Sequence, residues 1–278
     1  MATAMRRVLS ARLRHVRIVD IVEPAELAAN ESFMQADLTR LDEAVKALEG
    51  MDGVIHLAGI PSEKALADMV QVNVIGTSHV YEAAKLAKVP RVVLGSSNHT
   101  TGFYPRDVVV GPDAPMRPDS IYGLTKCWGE LVAGVYFDKH GVRSLIIRIG
   151  NAQDMPRAPR SLEVWISPGD LAQLCVIGLT HADVDVKTVF GVSAGGGSWW
   201  DNSEAEKLGY VPRDVIRDFA HPDAFKPVPT HASPVGEYFQ GAAFCTFDHD
   251  GSSAVASCGA GADQNFAPPG PIREKRHG

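Results

Sequence analysis

The sequence predicts an α/β fold in which a doubly wound parallel sheet is covered by helices on both faces. Five short apolar segments are typical of buried strands, at residues 16–22, 33–37, 53–59, 92–97 and 142–150. Helical patterns alternate with them, at residues 40–49, 62–88 with a break near 72–76, and 119–140. Strands that alternate with helices are typical of βαβ units, whose strands run parallel.

The sequence from residue 156 onward predicts shorter secondary-structure elements. Residues 156–168 read as a loop, and a helix is expected at 167–179 because Pro168 suits a first helical turn. A late strand is predicted at 188–192, and 195–240 as loop with short helices such as 203–208. From residue 245 the chain is rich in glycine, alanine, serine and proline, so we expect 245–278 to be a disordered tail.

Composition narrows the class of function. A chain of 278 residues with a net charge of −6 fits one large domain and argues against a nucleic-acid-binding surface. No apolar run is long enough to span a membrane. The four cysteines form no Cys-x-x-Cys pair, which predicts no metal site and suits the cytoplasm. Five arginines and no acid in the first seventeen residues resemble a transit peptide, but they lead directly into a strand pattern, which disfavours a cleaved leader.

The predicted strands end in residues suited to binding a ligand. In a doubly wound sheet, ligands bind at the carboxyl ends of the strands. The residues at or near those ends are Asp20, Asp37, Gly59, Ser97 and Gly150. We therefore expect the functional site at this edge of the sheet.

Tyr122 and Lys126 carry the clearest chemical signal. Four residues apart on a predicted helix, they share one face. An ammonium beside a phenol favours the phenolate, so we expect the pKa of Tyr122 to fall toward neutral pH. Ser97, at the end of the preceding strand, completes an arrangement that can remove a hydroxyl proton while a hydride leaves the same carbon.

Several sequence motifs occur together along the chain. They are Ser-Ser-Asn-His-Thr at 96–100, Tyr-Gly-Leu-Thr-Lys at 122–126, Tyr-Phe-Asp-Lys at 136–139, Arg-Ile-Gly at 148–150, Trp-Trp-Asp-Asn at 199–202 and Leu-Gly-Tyr at 208–210. Together they resemble those of one family, the uronate dehydrogenases. The resemblance covers roughly residues 16–244. It implies a Rossmann-like fold of the extended short-chain dehydrogenase type, and oxidation of galacturonate or glucuronate at C1 with NAD to the aldarolactone.

The resemblance also implies roles for individual residues. Tyr122 would be the general base, Lys126 its partner and a ligand of the nicotinamide ribose, and Ser97 would hydrogen-bond the reacting hydroxyl. The residues implied to contact the sugar acid are Ser97, Asn98, His99, Asn151 and Arg160. Arg160 would clamp the substrate carboxylate, which suits a planar guanidinium. Asn151 stands where the family usually has serine.

A second set of residues would bind the cofactor. These are Asp20, Asp37, Leu38, Leu57, Ala58, Gly59, Lys126 and Ala152. Asp20 would hold the adenosine ribose, and its carboxylate repels a 2′-phosphate, so NAD is favoured over NADP. Asp37 and Leu38 would flank the adenine.

The amino-terminal region departs from the family. A dinucleotide-binding fold needs a strand and a Gly-rich turn before the strand that ends at Asp20, but no glycine precedes Gly50. Residues 5–9 could begin a first strand, yet only residues 10–15 would then connect it to the next, which is too short for a parallel crossover. We expect the missing strand in mid-sheet, partly filled by residues 4–9, and weak or absent NAD binding.

The predicted organisation is a dehydrogenase domain at 1–244, with a small substrate lobe at about 151–244, followed by the tail. Two alternatives stay open: a nucleotide-sugar epimerase or dehydratase, and a non-catalytic relative that has lost NAD binding. By analogy with the superfamily, helices beside the active-site tyrosine are expected to form a homo-oligomer.

Overall fold

The computed structural model describes residues 2–229 and 231–249. Six strands form two parallel sheets. The smaller sheet pairs β1 (Val16–Asp20) with β2 (Glu31–Gln35). The larger has the order β3 (Val54–His56), β4 (Arg91–Ser97), β5 (Arg143–Ile149), β6 (Val186–Gly191). The predicted α/β fold with parallel strands is confirmed, and the bounds of every strand match a predicted one within three residues.

Helices cover both faces of the sheets. In chain order they are α1 (Ala2–Ser10), α2 (Leu41–Leu48), α3 (Leu66–Met69), α4 (Gly76–Leu86), α5 (Ile121–His140), α6 (Ser161–Val164), α7 (Pro168–Thr180), α8 (Ser203–Lys207), α9 (Ile216–Phe219) and α10 (Pro234–Tyr238). Apolar residues of α1 and α7 pack with β5 on one face. Those of α2, α4 and α5 pack on the other. Both faces of the central strand β4 are thus removed from water, which explains the apolar run at residues 92–95.

The predicted break in the long helix after residue 62 is a π-helical segment, Val70–Ile75, between α3 and α4. Single π turns inside helices occur mostly at functional sites. Asn73 lies within this segment and is buried. It bonds both the chain that follows β3 and the helix α5, as described below.

The amino-terminal prediction is wrong in its element type. Residues 5–9 belong to the helix α1, not to a strand, and do not fill the sheet. Met5 and Leu9 are four residues apart, so they share one helix face, and both are buried in the cluster with α7. Arg6 and Ser10 bond Glu31 of β2, with Ser10 Oγ at 2.7 Å, and this holds α1 beside the small sheet.

The two sheets stay separate at the position where we expected a missing strand. β1 pairs with β2, and β3 pairs with β4. The part of the chain that the structure describes contributes no strand between β1 and β3. It contributes no Gly-rich turn there either, since Gly50 is the first glycine of the chain.

The carboxyl-terminal segment is ordered beyond the predicted boundary at residue 245. A 3-10 helix spans Ala242–Thr246, and Cys245 is buried within it. The rest of the predicted tail, residues 250–278, lies outside the described residues. The tryptophans at 199 and 200 are buried packing residues, and Trp200 stacks on Phe190. Over the described ranges, no helix combines the length and apolar character needed to cross a bilayer.

Candidate active site

A cavity of about 530 Å³ opens at the carboxyl ends of β3, β4 and β5. Ten of the predicted site residues line it: Leu57, Gly59, Ser97, Asn98, His99, Tyr122, Lys126, Asn151, Ala152 and Arg160. This is the edge of the sheet at which the sequence predicted a site, and its size suits a small ligand.

Tyr122, Lys126 and Ser97 lie together in this cavity, but their electrostatics differ from the prediction. Burial raises the pKa of Tyr122, an effect that Asp119 reinforces and a hydrogen bond with Ser97 opposes. The expected fall in this pKa is therefore wrong for the structure as it stands. Lys126 Nζ lies 5.8 Å from the centre of the Tyr122 ring and donates to the Gly95 carbonyl at 2.9 Å. Desolvation lowers the pKa of Lys126 to about 8.

Local hydrogen bonds fix the start of α5, and with it Tyr122. Ser120 caps the helix by accepting from Gly123 N at 3.0 Å. The Glu63 carboxylate accepts from Tyr122 N at 3.0 Å. Asn73 donates to Thr125 Oγ1 at 3.0 Å and to the Ile60 carbonyl at 3.1 Å, which joins this helix to the chain that follows β3.

Close backbone packing also requires a glycine between the tyrosine and the lysine. A Cβ on Gly123 would overlap the carbonyl group of His99. Any side chain at this position would therefore push α5 away from the segment that carries Ser97, Asn98 and His99.

Arg160 presents a guanidinium without a carboxylate partner. Its Nε and Nη2 donate to the Gln240 carbonyl at 3.1 and 2.7 Å. In the amide orientation that satisfies both groups, Asn98 accepts from Arg160 Nη2 at 3.1 Å. None of the ion pairs in the described ranges includes Arg160. Desolvation lowers its pKa to about 10, so it stays charged at neutral pH and is available to an anionic ligand.

His99 is held between an acid and an aromatic ring. Its Nδ1 lies 2.6 Å from Asp119 Oδ2. The Phe244 ring stacks on the imidazole with centroids 3.7 Å apart, and it also lies 5.7 Å from Tyr122. The 3-10 helix near the end of the described chain therefore forms one wall of the cavity.

Asn151 enters the cavity from the end of β5. Its main chain bonds residues on both sides of Trp165, accepting from Ile166 N at 3.0 Å and donating to Val164 O at 2.5 Å. A Cβ on the preceding Gly150 would overlap the Val164 carbonyl, so glycine is required for this approach.

The residues around Gly59 suit the nicotinamide end of a dinucleotide. Gly59 has φ +155°, and a Cβ there would lie 3.0 Å from Asn73 Oδ1 and 3.6 Å from Lys126 Nζ. A Cβ on Gly95 would lie 2.7 Å from Leu57. These two glycines keep the floor of the cavity open where a flat ring could approach the backbone.

The predicted adenosine-end residues lie outside the cavity. Asp20 ends β1 in an exposed position and accepts from Val22 N at 3.1 Å. Asp37, just beyond β2, accepts from Thr39 N at 2.9 Å, and this bond lowers the pKa of Asp37. Leu38 packs against the core, and Ala58 does not line the cavity. The described residues hold no Gly-rich turn for the pyrophosphate of a dinucleotide.

Comparison with known proteins decides the family. Residues 3–153 match the model of the NAD dependent epimerase/dehydratase family. Uronate dehydrogenase of Pseudomonas putida is 40% identical over 248 residues, which are 87% of this chain and 92% of that protein. The chain belongs to the uronate dehydrogenases.

Solved structures of this family agree with the assignment. The crystal structure of glucuronic acid dehydrogenase from Chromohalobacter salexigens is 35% identical, covers 90% of this chain and 94% of its own, and has a TM-score of 0.82. A variant of uronate dehydrogenase from Agrobacterium tumefaciens, complexed with NAD, is 35% identical, covers 87% and 92%, and has a TM-score of 0.78.

Sequence reasoning missed several residues at this uronate dehydrogenase site. They are Glu63, Gly95, Asp119, Gln153, Gln240 and Phe244. Asp119 could have been predicted from the sequence, because it directly precedes Ser120, the N-cap of the helix that holds Tyr122. Phe244 could not, because the turn that brings it onto His99 has no recognisable pattern in the local sequence.

Proposed function

We propose that this chain oxidises galacturonate or glucuronate at C1, with NAD as hydride acceptor, to the aldarolactone. The observation that carries the proposal is the position of Arg160. A guanidinium that forms no ion pair within the described residues shares one cavity with Tyr122, Lys126 and Ser97. Such a cavity suits a small sugar that bears a carboxylate, and the family membership supports the same reaction.

In the proposed reaction Tyr122 removes the proton of the C1 hydroxyl while Ser97 hydrogen-bonds the oxygen. NAD, when bound, takes up the hydride that leaves C1. Because burial raises the pKa of Tyr122, its phenolate needs a nearby positive charge, which the Lys126 ammonium supplies below about pH 8.

We assign the substrate contacts to Asn98, His99, Asn151 and Arg160. Arg160 binds the carboxylate and so fixes which end of the sugar faces Tyr122. All four line the cavity, and Asn98 also contacts Arg160, which supports a shared role.

The proposed cofactor contacts fall in two groups. Leu57, Ala58, Gly59, Lys126 and Ala152 surround the nicotinamide half. For the adenosine half, Asp20 binds the ribose hydroxyls, while Asp37 and Leu38 flank the adenine. The exposed carboxylate of Asp20 at the end of β1 supports a preference for NAD over NADP.

NADH formation with galacturonate and glucuronate tests the proposal. Tyr122→Phe should lower kcat by about 10³-fold, as expected for loss of a general base. Tyr136→Phe is the matched control, because Tyr136 lies on the same helix but bonds Glu82 outside the cavity. We expect this control to keep nearly full activity.

Two outcomes would contradict the proposal. Turnover of a UDP-sugar without turnover of a free uronate would favour the epimerase or dehydratase alternative. Uronate binding without NADH formation at high NAD concentration would favour the non-catalytic alternative.

We also propose a homo-oligomer formed through α5. Leu124, Trp128, Leu131 and Val135 recur every three or four residues, so they form one exposed apolar stripe along this helix. Leu131→Glu should convert the oligomer to monomers in light scattering, whereas a monomeric unmodified chain would contradict the proposed oligomer.

Cys127, Cys175 and Cys245 are free thiols, which supports a reducing compartment such as the cytoplasm.

A further inference from the structure

Asp119 meets His99 through a short hydrogen bond in the wall of the cavity. Oδ2 lies 2.6 Å from His99 Nδ1, and the carboxylate side chain is fully enclosed. Oδ1 accepts from Ser120 Oγ at 2.8 Å, so both carboxylate oxygens are occupied. The main chains of the two residues also bond, from Asp119 N to the His99 carbonyl at 3.3 Å.

This contact determines which imidazole nitrogen carries the proton. A carboxylate only accepts hydrogen bonds, so Nδ1 must be protonated to bond it. In the neutral ring Nε2 is then the acceptor. No group in the described part of the chain hydrogen-bonds Nε2, and His99 lines the cavity. Its free nitrogen can therefore accept a hydrogen bond from a substrate hydroxyl.

Phe244 fixes the plane of the same ring. The two rings stack at 3.7 Å with an interplanar angle of 26°, while Tyr122 meets the imidazole edge at 5.8 Å. Rotation of the imidazole about its axis would break both the stack and the bond to Asp119. The acid and the aromatic ring together leave the imidazole one orientation.

We propose that Asp119 is a positioning residue, which holds His99 as the Nδ1–H tautomer so that Nε2 accepts a hydrogen bond from a hydroxyl of the sugar acid. The inference rests on the proposed function for the identity of the ligand. The tautomer itself is a property of the free protein, so it can be tested separately.

The first test reads the tautomer directly. In the full chain labelled with ¹⁵N-histidine, the resonances of His99 are identified by their loss in His99→Gln, because the chain holds ten histidines. In the neutral ring we expect a proton on Nδ1 and none on Nε2. A neutral ring with its proton on Nε2 would overturn the inference, because Nε2 could not accept.

The second test replaces Asp119 by asparagine. Ser120 Oγ can still donate to the amide oxygen, which turns the amide NH₂ toward Nδ1 and favours the Nε2–H tautomer. The lost acceptor should raise KM for galacturonate about tenfold with kcat changed by no more than about twofold, since the bond exists before and during the reaction.

Asp170→Asn is the matched control. Asp170 is also buried and hydrogen-bonded, to Ser193 Oγ at 2.6 Å, but it does not line the cavity. We expect its His99 resonances and KM to match those of the unmodified chain. Equal changes in both variants, or an unchanged tautomer in Asp119→Asn, would overturn the positioning role.

The two tests separate the inference from the proposed function. If the chain turns over no uronate, the proposed function fails, and the tautomers of the unmodified chain and of Asp119→Asn still decide the role of Asp119. If uronate is oxidised but Nε2 carries the proton, the function stands and this inference fails.

Discussion

Replacing Arg160 by glutamine should remove the preference for an acidic sugar. The guanidinium has five N–H donors, of which the Gln240 carbonyl takes two and Asn98 shares one. The remaining donors can form a paired contact with a substrate carboxylate. With a pKa lowered only to about 10, Arg160 is charged throughout the neutral range, so the contact is charge-assisted.

The expected loss follows from that contact. A hydrogen bond to a charged group contributes about 1.5–3 kcal/mol, and glutamine keeps one neutral donor in place of two charged ones. A net loss of about 3 kcal/mol corresponds to a fall of roughly 150-fold in kcat/KM for galacturonate. Galactose has a hydroxymethyl group in place of the carboxylate, so its much lower kcat/KM should change little.

The assay compares kcat/KM for the two sugars in both proteins, and Arg106→Gln is the control. Arg106 supports the same carboxyl-terminal segment, donating to the Gly236 carbonyl at 2.8 Å and the Phe239 carbonyl at 3.2 Å, but it does not line the cavity. Equal losses for both sugars, or the same change in selectivity in Arg106→Gln, would refute a role in carboxylate binding.

Three further predictions follow from other parts of the site. Lys126, whose pKa is lowered from 10.5 to about 8, loses its charge as the pH rises, so kcat/KM should fall above pH 8, and Lys126→Arg should remove that limb of the pH profile. Gly123→Ala should destabilise the fold by about 2 kcal/mol and lower Tm by about 5 °C through overlap with His99. Gly134→Ala, on the same helix with open space, should instead stabilise it by about 1 kcal/mol. The 278-residue chain should bind NAD more weakly by calorimetry than a version with an added strand and Gly-rich turn, and micromolar affinity would contradict this.

The strand pattern and the helical spacing were sufficient to predict that Ser97, Tyr122 and Lys126 lie together, whereas the substrate contacts of Asn98, His99, Asn151 and Arg160 were implied only by the family resemblance. Ser97 was placed because a buried strand has a recognisable end, and Tyr122 with Lys126 because four residues make about one helical turn. Both inferences depend only on residues that are close together in the sequence. They were correct because β4 and α5 are regular and tightly packed elements.

Two features of the structure were not predicted correctly, the helix at the amino terminus and the role of the 3-10 helix in the site. Residues 5–9 were short enough to suit either a strand or a helix, and the contact with α7, distant in sequence, decides for the helix. Phe244 joins the site through the 3-10 helix Ala242–Thr246, of which only the last two residues fall in the segment predicted to be disordered. Both cases depend on long-range packing, for which a single sequence has no direct signal.

The pKa of Tyr122 shows how burial can outweigh a correctly predicted neighbour. Lys126 lies beside Tyr122, as the four-residue spacing predicted. Burial nevertheless disfavours both the phenolate of Tyr122 and the ammonium of Lys126, which moves both groups toward their neutral forms. The same enclosure strengthens the attraction of Arg160 for an anion. Lys126 and Arg160 both line this cavity, and none of the described residues that line it is acidic, so the charges there favour an acidic ligand. Once that ligand neutralises Arg160, Lys126 is the cation left to stabilise a negative charge on Tyr122, which is why the charge state of this lysine should control the rate.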